Sequence, residues 1–320
     1  MKTTTLGIDG PEVGVIGLGC MGMTHAYDAA GRDDATSIRV IHQAIDLGVT
    51  LIDTADVYGP YTNEDLVGRA LAGRRDEVVL ATKVGLVTGA AAGTSTGLTN
   101  NGRPEHVRAS IDASLKRLGT DHVDLYQLHR VDPDVPIEET WGALAETVAA
   151  GKARAIGLSE ANVEQIRRAQ AVHAVASLQS ELSLWTRDVL AETLPFCDEH
   201  GIAFLPFSPL GRGFLAGRFA KPDDLPEDDW RRTLPRFQAD ALAANQLIVD
   251  TVRTIAERIG ATTAQVALAW VRTRGRFVIP IPGTKTPKYL TDNAGAAELA
   301  LGAEDIATLD ALPAPQGTRY

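Results

Sequence analysis

Val123-Asp124-Leu125-Tyr126-Gln127-Leu128-His129 is the stretch on which the reading of the fold turns. It is short and mostly apolar, as a strand buried on both faces tends to be. A helical pattern precedes it, with Val107, Ile111, Leu115 and Leu118 at i, i+4, i+8 and i+11, and Gly119 stands just past it. Another helical pattern follows, with Pro136 in its first turn, then Ile137, Trp141, Leu144 and Val148, and Gly151 beyond its end. A second apolar run, Ala153 to Leu158, comes next. Strand, helix and strand in close succession imply parallel pairing through a right-handed crossover.

The same unit recurs outward in both directions. Val15 to Gly19, Val49 to Asp53, Val78 to Lys83, Val175 to Gln179, Ile202 to Phe207 and Phe277 to Pro280 read as further strands, which makes eight. Ile38, Ile41 and Ile45 mark an early helix; Ile248, Val252, Ile255 and Ile259 mark a long late one, and Gly48, Gly201 and Gly260 sit where helices end. Eight alternating units predict an α/β fold, a (β/α)8 TIM barrel over 1–320 as one domain. Leu6 to Val15, around Asp9-Gly10, predicts an N-terminal β-hairpin plug for the barrel bottom, and Glu304 to Leu312 predicts an extra C-terminal helix. Arg218 to Phe237, with its prolines and acidic residues, predicts a long surface loop, and Asp223 to Asp229 a solvated charge run.

Composition narrows the functional classes. The chain has 320 residues, 44% hydrophobic and 22% charged, as a globular protein with a large core does. A net charge of −10 makes nucleic acid and membrane surfaces poor partners. Cys20 and Cys197 are the only cysteines, so no disulfide framework or metal spacing exists; a packing role is expected for Cys20. No leader-like segment opens the chain and no run of apolar residues is long enough to span a bilayer, so a cytoplasmic setting is expected.

In a parallel barrel the chemistry sits at the C-terminal strand ends. Asp53 ends the second strand, Tyr58 follows in its loop, Lys83 ends the third and His129 the fourth. Together they are suited to donating a proton to a carbonyl oxygen. A tyrosine titrates near 10, a lysine beside it favours the phenolate, and an aspartate holds the lysine. The histidine either orients the oxygen or relays a proton to the tyrosine.

Seven ordered motifs carry a resemblance. Gly19-Cys20-Met21-Gly22-Met23, Leu51 to Gly59, Ala81-Thr82-Lys83, Asp121 to Arg130, Ile156-Gly157-Leu158-Ser159, Phe207 to Gly213 and Ile279 to Lys285 resemble those of the aldo-keto reductases, closest to a microbial and plant subgroup with Gly-Cys-Met-Gly-Met near its start. The resemblance implies an NADPH-dependent oxidoreductase that reduces aldehyde or ketone carbonyls, with Tyr58 as general acid and Asp53, Lys83 and His129 as its partners. It further implies that Ser159 and Gln179 hold the nicotinamide carboxamide, with Phe207 against the ring where a tyrosine is frequent. Ser208, Leu210, Gly211, Arg212 and Gly213 would line the pyrophosphate. Gly283, Thr284 and Lys285 would face the 2′-phosphate of NADP, and Asp292 and Asn293 the adenine. Leu182 and Thr286 also depart from the pattern; Thr286 stands where a second basic residue is frequent.

Each residue also has a plainer reading. Asp53 alone suits a helix cap, Tyr58 a packed loop aromatic, Lys83 a surface lysine and His129 a core histidine. Trp185 suits core or substrate wall equally. Substrate contacts are expected from Val87 to Arg103, Val131 to Val135 and Arg218 to Phe237. The functional alternative is a nicotinamide-nucleotide-sensing regulatory subunit on the same scaffold. The expected partner is a small-molecule carbonyl substrate, no metal is called for, and a monomer or weak homo-oligomer is expected.

Overall fold

The computed structural model describes residues 1–88, 97–227 and 229–320. Seven parallel strands stand side by side in chain order: β1 (Leu18–Gly19), β2 (Leu51–Asp53), β3 (Val79–Val84), β4 (Val123–Leu128), β5 (Ala153–Ser159), β6 (Ser177–Glu181) and β7 (Ala203–Phe207). Residues 277–282 fill the eighth position. Ile279 N–H donates to Phe204 O at 2.9 Å and Ile281 N–H to Pro206 O at 3.0 Å on the β7 side. On the β1 side Gly17 N–H donates to Pro280 O at 2.9 Å and Gly19 N–H to Pro282 O at 3.4 Å. Pro280 and Pro282 have no N–H to give back, so this seam carries half a ladder. The (β/α)8 barrel closes there all the same.

Alternation along each strand sorts its residues by depth. Leu51, Val79, Ala81, Leu125, Ala203, Leu205, Ile279 and Ile281 point inward and form a dry interior cluster. Leu6 and Val13 belong to that cluster from below. They lie on the expected N-terminal hairpin, whose strands Thr3–Thr5 and Glu12–Gly14 pair antiparallel, so the hairpin does plug the barrel bottom. A second hairpin joins Leu86–Thr88 to Leu98–Asn100 after β3. Residues 89–96 of the expected substrate loop lie outside the described residues.

Helices α1 (Asp34–Asp46), α2 (Thr62–Leu71), α3 (Pro104–Leu118), α4 (Ile137–Ala149), α5 (Val163–Gln170), α6 (Thr193–Glu199), α7 (Ala239–Ile259) and α8 (Thr263–Arg272) follow, with α9 (Pro287–Gly295) and α10 (Ala303–Asp310) after the last strand. Their apolar faces meet the outward faces of the strands in one continuous core that includes Ile41, Val107, Ile111, Trp141 and Val252. Each such large side chain removed from water stabilises the fold by ~1.5–3 kcal/mol. Gly119 ends α3 at φ 65° and Gly260 ends α7 at φ 68°, a left-handed conformation that glycine adopts without strain. Pro136 caps α4 from one position before its first turn.

Two expectations need correction. Arg218 to Phe237 is not a bare surface loop: it folds into short 3-10 turns, Pro222–Asp224, Trp230–Thr233 and Pro235–Phe237, that bury Phe219, Leu225, Leu234 and Phe237. Nor is Asp229 solvated. It is buried and takes Arg231 in a bidentate pair, Nε to Oδ1 at 2.9 Å and Nη2 to Oδ2 at 2.6 Å. Asp228 of that run lies outside the described residues.

Candidate active site

The inward alternation that builds the dry interior also builds the site. Two residues after Leu51 comes Asp53, two after Ala81 comes Lys83, and two and four after Leu125 come Gln127 and His129. Ser159 ends β5, Gln179 lies two residues short of the end of β6, and Phe207 ends β7 two residues after Leu205. Apolar side chains fill the lower barrel and polar ones rim its C-terminal mouth.

Asp53, Tyr58, Lys83 and His129 come together. Lys83 is fully buried, and its Nζ donates to Asp53 Oδ1 at 2.6 Å, to Thr54 O at 2.7 Å and to Tyr58 OH at 3.4 Å. An ammonium has three protons, and three acceptors take them. The second carboxylate oxygen, Asp53 Oδ2, accepts from Gln179 Nε2 at 2.8 Å and from Gln127 Nε2 at 3.3 Å. The buried charge pair is therefore hydrogen-bonded on all sides, which is what makes such a pair tolerable away from water. The Tyr58 ring meets His129 edge-on at 5.6 Å between centroids, and His25 stacks with it at 6.1 Å.

Charge states follow from these surroundings. Burial pulls the Lys83 pKa down, but Asp53 and then Tyr58 outweigh it and the lysine is held above its ordinary value. Burial pushes His129 well below 6.5, helped by the nearby Lys83 and Arg130 charges, so its imidazole is neutral at neutral pH. For Tyr58 the shift is opposite to the expected one. Lys83 does pull the phenol down, but burial is the larger effect, Asp53 adds to it, and the net pKa lies above 10.

The expected dinucleotide residues fall into two groups. Ser159 and Gln179 are buried on neighbouring strands and paired in register across the β5–β6 ladder. Gln179 already gives its amide N–H to Asp53, so it ties the two groups together. Ser208, Gly211, Arg212 and Gly213 have positive φ of 48°, 57°, 53° and 98°, which makes a tight left-handed turn after β7. The Arg212 side chain is buried and already paired: its Nη2 meets Glu181 Oε2 at 3.0 Å and Tyr320 OH at 3.0 Å. Leu210 packs with Ile16, Leu268 and Ala297, which places this turn beside the segment that follows α9. Gly283 bridges to Gly19, and the Thr284 Oγ1 accepts from Thr286 N–H at 3.1 Å. Lys285 Nζ lies 3.2 Å from Asp28 Oδ2 and donates to Asp28 O at 2.6 Å. On α9, Asn293 is buried and Asp292 half-buried. A hydroxyl and an amide, an aromatic face, a turn of main-chain N–H groups and a lysine are a donor set that fits a phosphorylated nicotinamide dinucleotide.

Gln127 and Asp56 had no expectation to match. Gln127 joins the Asp53 network, and the period-2 alternation of its own strand is the signal that would have found it. Asp56, between Asp53 and Tyr58, is buried with Oδ1 unpartnered; burial first, then Glu64, push its pKa up to about 8. Trp185 resolves to core, stacked on Phe214 at 4.2 Å. Leu182 is core as well. Cys20 and Cys197 are both buried with raised thiol pKa values, that of Cys197 up to about 12, as packing residues have. Among the described residues no group of acidic, histidine or cysteine side chains is arranged to hold a metal, and no helix is long and apolar enough to cross a membrane.

A barrel with this mouth defines a class, and comparison with known proteins settles which family. The model of the aldo/keto reductase family matches residues 15–314, so the chain belongs to that family. A probable aldo-keto reductase of Glycine max is 44% identical over 310 residues, 96% of this chain and 87% of its own length. Among solved structures, a glycerol dehydrogenase of Gluconobacter oxydans superposes with a TM-score of 0.85 at 31% identity, over 96% of this chain and 94% of that one. An aldo/keto reductase of Klebsiella pneumoniae, solved with NADP and acetate, gives 0.73 at 31% identity, over 100% and 99%.

Proposed function

We propose that this chain reduces aldehyde or ketone carbonyls to alcohols with NADPH, and that Tyr58 is the general acid. The observation that carries the reading is the buried Lys83–Asp53 pair at 2.6 Å with the Tyr58 hydroxyl 3.4 Å from the same ammonium. A structural ion pair has no need of a phenol at that distance; an acid that becomes a phenolate does.

When bound, the reduced nicotinamide supplies the hydride that adds to the carbonyl carbon. The protein manages the oxygen. Tyr58 OH passes its proton to the oxygen as negative charge gathers there, and the phenolate left behind faces Lys83. The charge created is thus met by a cation already in place, with no reorganisation. Asp53 keeps that cation fixed and charged. Neutral His129 can give an N–H to the carbonyl oxygen or pass a proton toward Tyr58. Ser159, Gln179 and Phe207 would hold the nicotinamide, and Lys285 would meet a 2′-phosphate. The Klebsiella relative solved with NADP supports that choice of cofactor.

The test is Tyr58→Phe. General acids contribute about 10²–10⁴-fold, so reduction in the NADPH-oxidation assay should fall by at least about 10²-fold. Quenching of tryptophan fluorescence by NADPH should persist in the variant. Near-normal turnover would refute the acid assignment, and NADPH binding by the wild-type chain without turnover on any carbonyl would refute the reductase reading.

A further inference from the structure

Three arginines stand around the barrel mouth, and two of them are neutralised. Arg212 pairs with Glu181 at 3.0 Å. Arg319 pairs with Glu160 at 3.0 Å and reaches Glu181 at 3.6 Å. The third, Arg130, directly follows His129 and has no carboxylate within 4 Å among the described residues. Its Nη1 is anchored, donating to His129 O at 2.6 Å and to Ser159 Oγ at 3.0 Å. The guanidinium lies 6.0 Å from the centroid of the Phe207 ring, so both Ser159 and Phe207 fix where it stands. Nη2 and Nε make no hydrogen bond to the described residues, and Arg130 is half-buried. The position is close to the reacting groups, for the Arg130 charge is felt at both Tyr58 and His129.

Arg187, Arg236 and Arg272 likewise meet no carboxylate among the described residues, and main-chain carbonyls take their N–H groups; what sets Arg130 apart is its place beside Tyr58 and His129. A cation that stands beside the acid Tyr58 with no carboxylate of its own among the described residues is available to an arriving anion. The remaining fork of a guanidinium has the geometry of a carboxylate.

We infer that Arg130 is a specificity-determining residue, and that the preferred substrates are carbonyl compounds bearing a carboxylate. The inference rests on the reductase reading and sharpens its substrate class. The carboxylate takes the free Nη2 and Nε of Arg130 while the carbonyl oxygen faces Tyr58. Neutral aldehydes lack that contact and depend on the rest of the mouth.

Benzaldehyde and the ortho-, meta- and para-carboxybenzaldehydes test this, because they share one reacting group and vary the place of the charge. With NADPH and the full chain, kcat/KM for at least one carboxylated member should exceed that for benzaldehyde by about 10-fold to 100-fold, the range of a hydrogen bond to a charged group. In Arg130→Met that ratio should collapse toward one, chiefly through KM, and Arg130→Lys should restore part of it. A ratio unchanged by Arg130→Met, or a wild-type enzyme with no preference for any carboxylated member, overturns the inference. Equal losses on benzaldehyde and its carboxylated forms overturn it too, since they assign Arg130 to holding Ser159. Failure of the wild-type chain to reduce any of the four aldehydes is a different outcome: it strikes the reductase reading itself.

Discussion

Asp56→Asn should make the protein more stable, and increasingly so as the pH rises. Asp56 is 3% exposed, its Oδ1 has no partner, and its pKa stands at about 8 against 3.8 for the free side chain. Burial is the main cause. Glu64 is the second, itself held by Arg117 Nε at 2.7 Å and Thr82 Oγ1 at 2.6 Å. The groups around Asp56 are thus Glu64, Arg117, Lys83 and the neutral Tyr126, and the two cations do not offset the rest. Between about pH 4 and pH 8 the folded chain holds a proton on Asp56 that the unfolded chain has released. Stability then falls as pH rises, by ~1.4 kcal/mol per unit. At pH 7, roughly three units above the unfolded value, the carboxyl costs about 4 kcal/mol. An asparagine has nothing to ionise. Urea unfolding followed by tryptophan fluorescence at pH 5 and pH 7 gives the variant-minus-wild-type difference at each, and every other titrating group cancels. That difference should grow by about 3 kcal/mol between the two. A pH-independent difference, or a variant that loses stability as pH rises relative to wild type, refutes the reasoning.

Two glycines inside helices should respond to alanine with opposite signs. Gly142 of α4 has nothing within 4 Å of an added Cβ, so Gly142→Ala should gain ~0.5–1 kcal/mol of helix stability in urea titration. A Cβ on Gly68 of α2 would lie 2.7 Å from the main-chain oxygens of Arg117 and Leu118, so Gly68→Ala should push α2 from α3 and lower the urea midpoint despite the same gain in propensity. A pH profile of reduction reads His129 directly. Its pKa is well below 6.5 and that of Tyr58 above 10, so kcat/KM should show no acid limb centred near 6.5 and no loss of the acid through pH 9; a midpoint near 6.5 would assign the histidine a charge it does not have in this fold.

The barrel was legible because its unit repeats. Each apolar run with a helical pattern after it is a local signal, and parallel pairing follows from connection length. The ends of the strands were less so. Val15 and Ile16, read as strand, leave the β1 ladder and pack instead with Leu268, Ala296 and Ala297. The eighth strand was expected at Phe277 to Pro280; it is held by a single bridge on each side, and its prolines leave it only carbonyl acceptors toward β1. Arg218 to Phe237 misled because polarity in sequence says nothing about tertiary partners. Asp229 looks solvated until Arg231 closes on it, and Phe219 and Phe237 look exposed until they meet each other at 5.6 Å. The four acid–base candidates were legible as polar residues at strand ends. Arg130 and Asp56 were not, because what distinguishes them is a missing partner, which only three dimensions can show.

The sign of the Tyr58 shift changes how the proposed acid works. A lysine beside a tyrosine invites the view that the phenol is made more acidic, yet here burial outweighs Lys83 and the phenol holds its proton more firmly than in water. That is no handicap in carbonyl reduction. The oxygen that receives the proton becomes an alkoxide as the bond to carbon forms, and an alkoxide is far more basic than a phenolate, so transfer is downhill even from a phenol above 10. What the site needs is a cation for the phenolate that remains, and Lys83 Nζ, held by Asp53, already stands 3.4 Å from that oxygen. The protonated form is therefore the one populated at neutral pH, and it is the form that reduction uses. Alcohol oxidation uses the phenolate, so with this pKa the oxidative rate should climb with pH across the range in which the reductive rate is flat. The buried pair is thus less a device for acidifying Tyr58 than a counter-charge waiting for what Tyr58 becomes.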